Sequence, residues 1–314
     1  GPSIIDELWH MALNSRGFFY GGENIGDAFD KLLQSLNDIL VSNVSGSSIA
    51  TSTTSLTTSA LIYQASVESD WKGHLRAYSV SKGLNADQKE VLNVNYNLPV
   101  WDLAERISAQ PWSARNIATY SGSSGVAFRW DNLNAVAKAH LKTQVPAGIV
   151  NPDVYGAKVL EYLRGSGECE DGSGTTCSSG TSYAFRRRNI ERNNNLGYSG
   201  SNLNGRNILG DIANSNPWLI APPVAGWSDV DYPGYNTFRV DNKSRQSVLY
   251  VGANDGMLHA VNASNGNELF GYIPGFVHAN LNQLAKPSYG HTYYVDGSPF
   301  SANVKVGDSW KTLL

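Results

Sequence analysis

Charged residues are scarce in this 314-residue sequence. Asp, Glu, Lys and Arg make up 16% of it, where an average soluble domain has roughly 25%. The 27 acidic and 24 basic residues nearly cancel, leaving a net charge of −3. No long-range field is therefore available to hold nucleic acid or an anionic membrane, and neither is expected as a partner. No apolar run approaches the roughly 18 residues that cross a bilayer, so no membrane span and no signal peptide are expected. With only two cysteines, a small fold stapled by many disulfides is excluded.

Gly, Ser, Thr and Asn take the place of charge, which is a loop-rich β composition, and 41% hydrophobic residues leave ample material for a core. Gly1-Pro2 reads as the scar of a cleaved tag, and Trp310-Lys311-Thr312-Leu313-Leu314 stops on apolar residues without cap or turn chemistry. The expectation is a fragment of a longer chain.

The pattern along the chain predicts three parts. Residues 1–41 read as a helical segment, with Phe29, Leu32, Leu33, Leu36 and Leu40 on one helix face and Asn24 as a candidate N-cap. Residues 42–58 read as a linker, because Ser42 to Ser59 holds twelve Ser or Thr in eighteen positions with no Pro and no charge. Residues 59–314 change to short runs rich in Tyr, Val and Ile. Strands are predicted at Leu61–Val67, Gly73–Val80, Arg115–Ser121, Gly125–Trp130, Val248–Gly252, Gly256–Asn262 and Glu268–Ile273. Strands of this length and spacing suggest an all-β sandwich or a propeller.

An internal repeat favours the propeller. Gly73-His74-Leu75-Arg76-Ala77-Tyr78-Ser79-Val80 and Gly256-Met257-Leu258-His259-Ala260-Val261-Asn262-Ala263 share Gly-x-Leu-x-Ala-x-[Ser/Asn]-x, 183 residues apart. Each copy follows an apolar strand and a turn bearing Asp, so that Gly reverses the chain and the next strand turns Leu and Ala inward between neighbouring blades.

The stretch 132–207 interrupts this pattern and reads as an insertion displayed on the surface. It opens with Asp131 before a helical run containing Ala135, Val136, Ala139 and Leu141. Within it, Arg186, Arg187 and Arg188, with Arg192 nearby, are a candidate surface for an anionic partner, with a solvated loop or structural salt bridges as the alternative. Cys169 and Cys177 lie in a loop of Gly, Ser, Thr and acidic residues. A disulfide between them closes a short loop, contributes about 2–3 kcal/mol and implies an oxidising compartment. Two free thiols are the alternative.

The run Val248-Leu249-Tyr250-Val251-Gly252-Ala253-Asn254-Asp255-Gly256-Met257-Leu258-His259-Ala260 continues as Val261-Asn262-Ala263-Ser264-Asn265-Gly266-Asn267-Glu268-Leu269-Phe270. It resembles a blade of the quinoprotein-type β-propeller, with Asn262, Asn265 and Phe270 replacing that repeat's Asp, Thr and Trp. With Leu209-Gly210-Asp211-Ile212-Ala213-Asn214-Ser215-Asn216-Pro217, Gly271-Tyr272-Ile273-Pro274 and Tyr289-Gly290-His291-Thr292-Tyr293-Tyr294-Val295-Asp296-Gly297-Ser298-Pro299, it closely resembles the C-terminal propeller of the PilC/PilY family of type IV pilus adhesins and biogenesis factors. Asp6-Glu7-Leu8-Trp9-His10 and Asn14-Ser15-Arg16-Gly17 resemble the stretch that joins that family's von Willebrand A-like domain to the propeller. The resemblance implies a mainly β fold: an incomplete quinoprotein-like propeller of about two blades and the start of another, with the helical segment and the helix/loop insertion attached.

It also implies a non-enzymatic, secreted protein that passes through the periplasm to the pilus tip or outer-membrane surface. There it would associate with minor pilins, support pilus assembly and twitching, and contact host or abiotic surfaces. The family's calcium loop and metal site belong to other parts of the full-length protein; Asp229-x-Asp231 has Pro233 where a next ligand would fall, so no metal and no cofactor are assigned here. Two other classes compete. A quinone-dependent periplasmic dehydrogenase would cover its cofactor with a disulfide between adjacent cysteines, which Cys169 and Cys177 are not, and a periplasmic assembly scaffold would use the same propeller without a pilus. The histidines His10, His74, His140, His259, His278 and His291 show no metal-ligand spacing, and His259 and His291 read as packed and hydrogen-bonded.

Overall fold

The structure, a computed structural model, describes residues 45–51, 60–67, 71–84, 90–96, 98–143, 145–147, 149–170, 184–188 and 206–314. The expected helix of 1–41, Cys177 and Arg192 lie outside them. The chain divides into a first unit, Gly1–Ser45, and a second, Gly46–Leu314; the description below concerns the second.

The first sheet comprises β1 (Ser45–Thr51), β2 (Leu61–Val67), β3 (Gly73–Leu84), β4 (Glu90–Val94) and β5 (Trp101–Asp102). Its order is β1-β2-β3-β4, with β5 also pairing β3. Strand β1 falls inside the stretch read as a linker: its Thr and Ile favour extended backbone, and β2 offers an edge to pair with. Helix α1 (Leu103–Ala109) follows directly, its N-terminus capped by Asp102, whose Oδ1 accepts from the Ala104 N–H at 3.0 Å.

The second sheet is assembled from both halves of the chain. Strands β6 (Ile117–Tyr120) and β7 (Gly125–Ala127) come first, then helices α2 (Ala135–Leu141) and α3 (Pro152–Arg164), then β8 (Trp218–Ile220), helix α4 (Tyr235–Asp241), β9 (Val248–Ala253), β10 (Met257–Asn262) and β11 (Glu268–Ile273). The order β7-β6-β11-β10-β9-β8 is antiparallel except where β11 runs parallel to β6. Strands β8 to β11 thus form a four-stranded blade, and the earlier hairpin extends it. A two-stranded hairpin, β12 (Ala302–Val306) and β13 (Ser309–Leu313), follows the 3₁₀ segment Gly275–Ala285.

Two cores hold these parts together. One joins the repeats: Tyr63, Ala65, Leu75, Ala77 and Trp101 pack with Leu249, Val251, Val261 and Ala263, and Ile208, Leu209 and Ile212 share the cluster. The Tyr63 hydroxyl and the Trp101 indole N–H both donate to the Ala263 carbonyl, at 3.1 and 3.2 Å. The repeat therefore does turn Leu75, Ala77 and Ala260 inward, although Leu258 is only half-buried.

The other core changes the reading of 132–207. Leu133, Ala137 and Leu141 around helix Ala135–Leu141, and Tyr155, Val159, Leu160 and Leu163 of helix Pro152–Arg164, pack with Met257, Ile273, Val277 and Leu281. This stretch covers the blade's apolar face, so the part described is half of a core and not a surface decoration. Asn134 caps the first of its helices, its Oδ1 accepting from the Ala137 N–H at 2.8 Å.

Candidate functional site

The turns that precede the two repeat copies come together on the segment Asn207–Asp211. The Gly73 N–H donates to the Leu209 carbonyl at 3.4 Å, Lys72 and Gly210 form an isolated antiparallel bridge, and the Asn254 N–H donates to the Asp211 carbonyl at 2.9 Å. Glycine is required here by contact. A Cβ on Gly73 would lie 1.9 Å from the Gly210 carbonyl oxygen, and one on Gly210 would lie 2.1 Å from the Asp255 nitrogen. The segment is clamped between backbones.

Around this clamp opens a cleft of ≈ 210 Å³, whose lining includes Trp71, Lys72, Arg186, Asp211, Asn254 and Tyr289. Sequence alignment of the copies sets Trp71 against Asn254 and Lys72 against Asp255, so both of these turn positions line the cleft in each copy. Asp211 is buried and its carboxylate accepts from the Asn254 amide at 2.7 Å and from His291 Nε2 at 3.0 Å. His291 stacks on Trp71 with ring centroids 3.6 Å apart, and Tyr293 meets it edge-on at 4.9 Å.

The structure separates the arginines picked from the sequence. Arg188 is buried: Nε donates to Glu170 at 2.8 Å, Nη1 to the Tyr162 carbonyl at 3.0 Å and Nη2 to the Ser166 carbonyl at 2.7 Å. Burial raises the Glu170 carboxyl, but Arg188 and Arg206 outweigh it and hold it below its usual range. Arg188 is therefore a structural ion pair. Arg186 is half-buried, its guanidinium 4.1 Å over the Tyr289 ring, and Arg187 is exposed; both line the cleft. Cys169 is buried in the second core beside Phe185, whose N–H donates to its carbonyl at 2.8 Å.

Other chemistry-bearing residues are locked. The Arg115 guanidinium donates twice to Glu268, both at 2.8 Å. His259, fully buried, faces Glu268 through Nδ1 at 2.8 Å and Asp255 through Nε2 at 3.2 Å. Carboxylates only accept, so both ring nitrogens donate and the ring is an imidazolium. Burial opposes that charge, but Asp255 and Glu268 prevail and raise its pKa to about 9. In the first copy Arg76 takes the place of His259, donating to Asp102 at 2.8 Å, while His74 Nδ1 sits 2.6 Å from the same oxygen. Burial raises the Asp102 carboxyl, yet His74 and Arg76 lower it to about 2. The fourth position of the repeat thus carries a buried cation in both copies, a role invisible in the shared Gly, Leu and Ala. Asp229 of the Asp-x-Asp pair accepts from the Asn236 N–H at 2.9 Å, a turn contact, and no group of metal-ligating side chains occurs among the described residues.

These shifts predict a stability profile. His259 contributes stability that is complete below pH 6.5 and lost as pH rises through about 9. Asp102 contributes stability that is complete above pH 3.8 and lost as pH falls through about 2. Urea midpoints measured against pH should plateau between these limits and fall on both sides. Replacing His259 with glutamine should flatten the alkaline limb.

Two blade-like sheets sharing a core, with repeat turns meeting on a connecting segment, define this as part of a β-propeller protein. Residues 209–314 match the family model described as the PilY1 beta-propeller domain. The chain is 31% identical over 337 residues to the type IV pilus biogenesis factor PilY1 of Pseudomonas aeruginosa PAO1, covering 98% of this chain and 25% of that protein. It is 29% identical over 340 residues to PilY1 of strain UCBPP-PA14, covering 100% and 25%. A PilY1 homolog of Xylella fastidiosa Temecula1 is 27% identical over 277 residues, covering 86% and 18%. The chain belongs to the PilC/PilY family and spans about a quarter of the length of the first of these relatives. No solved structure matches it. Among the described residues no helix is long and apolar enough to cross a membrane.

Proposed function

We propose that this chain is a non-enzymatic recognition part of a type IV pilus biogenesis factor, exported through the periplasm and working at the pilus tip. In this reading it associates with minor pilins, promotes assembly or opposes retraction, and so supports twitching and adhesion to host or abiotic surfaces. The relatives named as pilus biogenesis factors support the assignment to pili. The observation that carries the recognition role is that buried acids and bases among the described residues are tied up in fixed ion pairs, whereas the two turn positions at which the repeats differ, Trp71/Asn254 and Lys72/Asp255, line an open cleft. A catalyst keeps an acid or base poised at its substrate; here His259 and Glu268 are sealed from solvent.

A Cys169–Cys177 disulfide belongs to the same reading, since export delivers the loop to an oxidising compartment. The test is capture of minor pilins from a periplasmic extract on the immobilised chain. Specific retention of minor pilins is expected; retention of outer-membrane assembly factors in their place would favour the scaffold class and end the pilus reading. Quinone-dependent dye reduction by the full-length protein would contradict the non-enzymatic part.

A further inference from the structure

Trp71 has a φ of 61°, and it alone among the described non-glycine residues has a positive φ. That left-handed conformation is unfavourable for a bulky L-residue and persists only where the surroundings hold it. Here it holds an indole at the mouth of the cleft, one face on His291 and 46% of the residue still exposed. Tyr293, 58% exposed, meets the edge of His291 and not the indole itself. The opposite copy needs no such residue at this place, since Asn254 there bonds Asp211. Strain retained at an exposed aromatic marks a surface kept for contact.

The rest of the cleft narrows the ligand. Its ≈ 210 Å³ falls below the roughly 300–1,000 Å³ of a site for a drug-sized molecule. It has room for a single ring. Arg186 lies flat on Tyr289 and its Nε donates to the Tyr162 hydroxyl at 3.4 Å, so the two terminal Nη groups are the part that would take a carboxylate through two parallel hydrogen bonds. Lys72, Arg187 and Arg188 also line the cleft, against the carboxylates of Asp211 and Asp255, so positive groups outnumber negative ones there. Asp211 and Asn254, buried and hydrogen-bonded to each other, form the polar wall of the cleft. A pyranose has an apolar face for an indole and a hydroxyl rim for such a wall, and a hexuronate adds the carboxylate. An acidic peptide side chain would engage Arg186 but leave the indole unused.

We propose that the cleft binds one acidic sugar ring, its carboxylate on Arg186 and its apolar face on Trp71. This goes beyond the pilus assignment and fails separately from it, since minor-pilin capture and sugar binding are measured independently.

The test titrates the whole chain with glucuronate, with glucose and a glutamate-rich peptide as comparisons, followed by ligand-observed NMR and calorimetry. Glucuronate should saturate with a dissociation constant on the order of 1 mM, at least about tenfold tighter than glucose. Arg186→Gln should abolish that preference. Trp71→Gly removes the left-handed strain, so its melting temperature should equal or exceed the parent's while glucuronate binding falls at least about tenfold. The proposal is overturned if glucose binds as tightly as glucuronate, if Arg186→Gln keeps the preference, or if the peptide displaces glucuronate at lower concentration.

Discussion

Replacing Glu268 with glutamine is expected to lower unfolding stability by about 3–5 kcal/mol, the cost of leaving buried charge without its partner. Glu268 accepts two hydrogen bonds from Arg115 and one from His259, and the side chains of the pair are 2% and 1% exposed. Arg115 in turn donates through Nη1 to the Arg164 carbonyl at 2.9 Å, and so links β6 to the end of helix Pro152–Arg164. Glutamine keeps the shape but returns one donor and no charge, so two cations would face a neutral amide. The pair lies where β6 and β11 run side by side, and its loss should loosen the joint between the two halves of the sheet. Equilibrium urea unfolding measures this. Adding His259→Gln to Glu268→Gln should cost less than the sum of the two single changes, because one of the stranded cations is gone. A loss below about 1 kcal/mol would show that the network carries little of the fold.

Gly210→Ala should be comparably damaging for a different reason. Its Cβ would sit 2.1 Å from the Asp255 nitrogen and 2.7 Å from the Asn254 carbonyl carbon, and both are backbone atoms that cannot rotate away. The turn of the second repeat must move, and with it the hydrogen bond from Gly210 to Asp255 and the clamp on the first repeat. A loss of roughly 4 kcal/mol or more, or failure to fold, is expected. Gly226→Ala is the control, since nothing lies within 4 Å of the added methyl. It should leave the thermal midpoint unchanged or slightly raised.

Much of the β framework is legible in the sequence. Period-two alternation locates Leu61–Val67 and Glu268–Ile273 at their observed bounds, and the repeat marks the starts of β3 and β10, although Gly73 is already the first residue of its strand while Gly256 lies in the turn before its own. Helix Pro152–Arg164 is harder to see, although Asn151, Pro152 and Gly165 are a good cap, N1 residue and stop. The assignment of 132–207 to the surface follows from its polar loops, while its two helices hide their apolar faces under the blade. Long-range pairing is the least legible part. Glu268 and Arg115 are 153 positions apart, and no local pattern signals that β6 will run beside β11. The cleft could have been found by one comparison within the sequence: the repeats agree at Gly, Leu and Ala and differ at Trp71 against Asn254 and Lys72 against Asp255. Shared positions build the blade, and the differing turn positions line the cleft.

The central proposal is that this chain serves type IV pilus biogenesis. Its most direct test is deletion of the parent gene in its own bacterium, followed by return of either the full-length protein or its Gly210→Ala variant. The account predicts that deletion removes most surface pili and twitching, that the full-length protein restores both, and that the variant does not. Unchanged piliation, twitching and adhesion after deletion would contradict it.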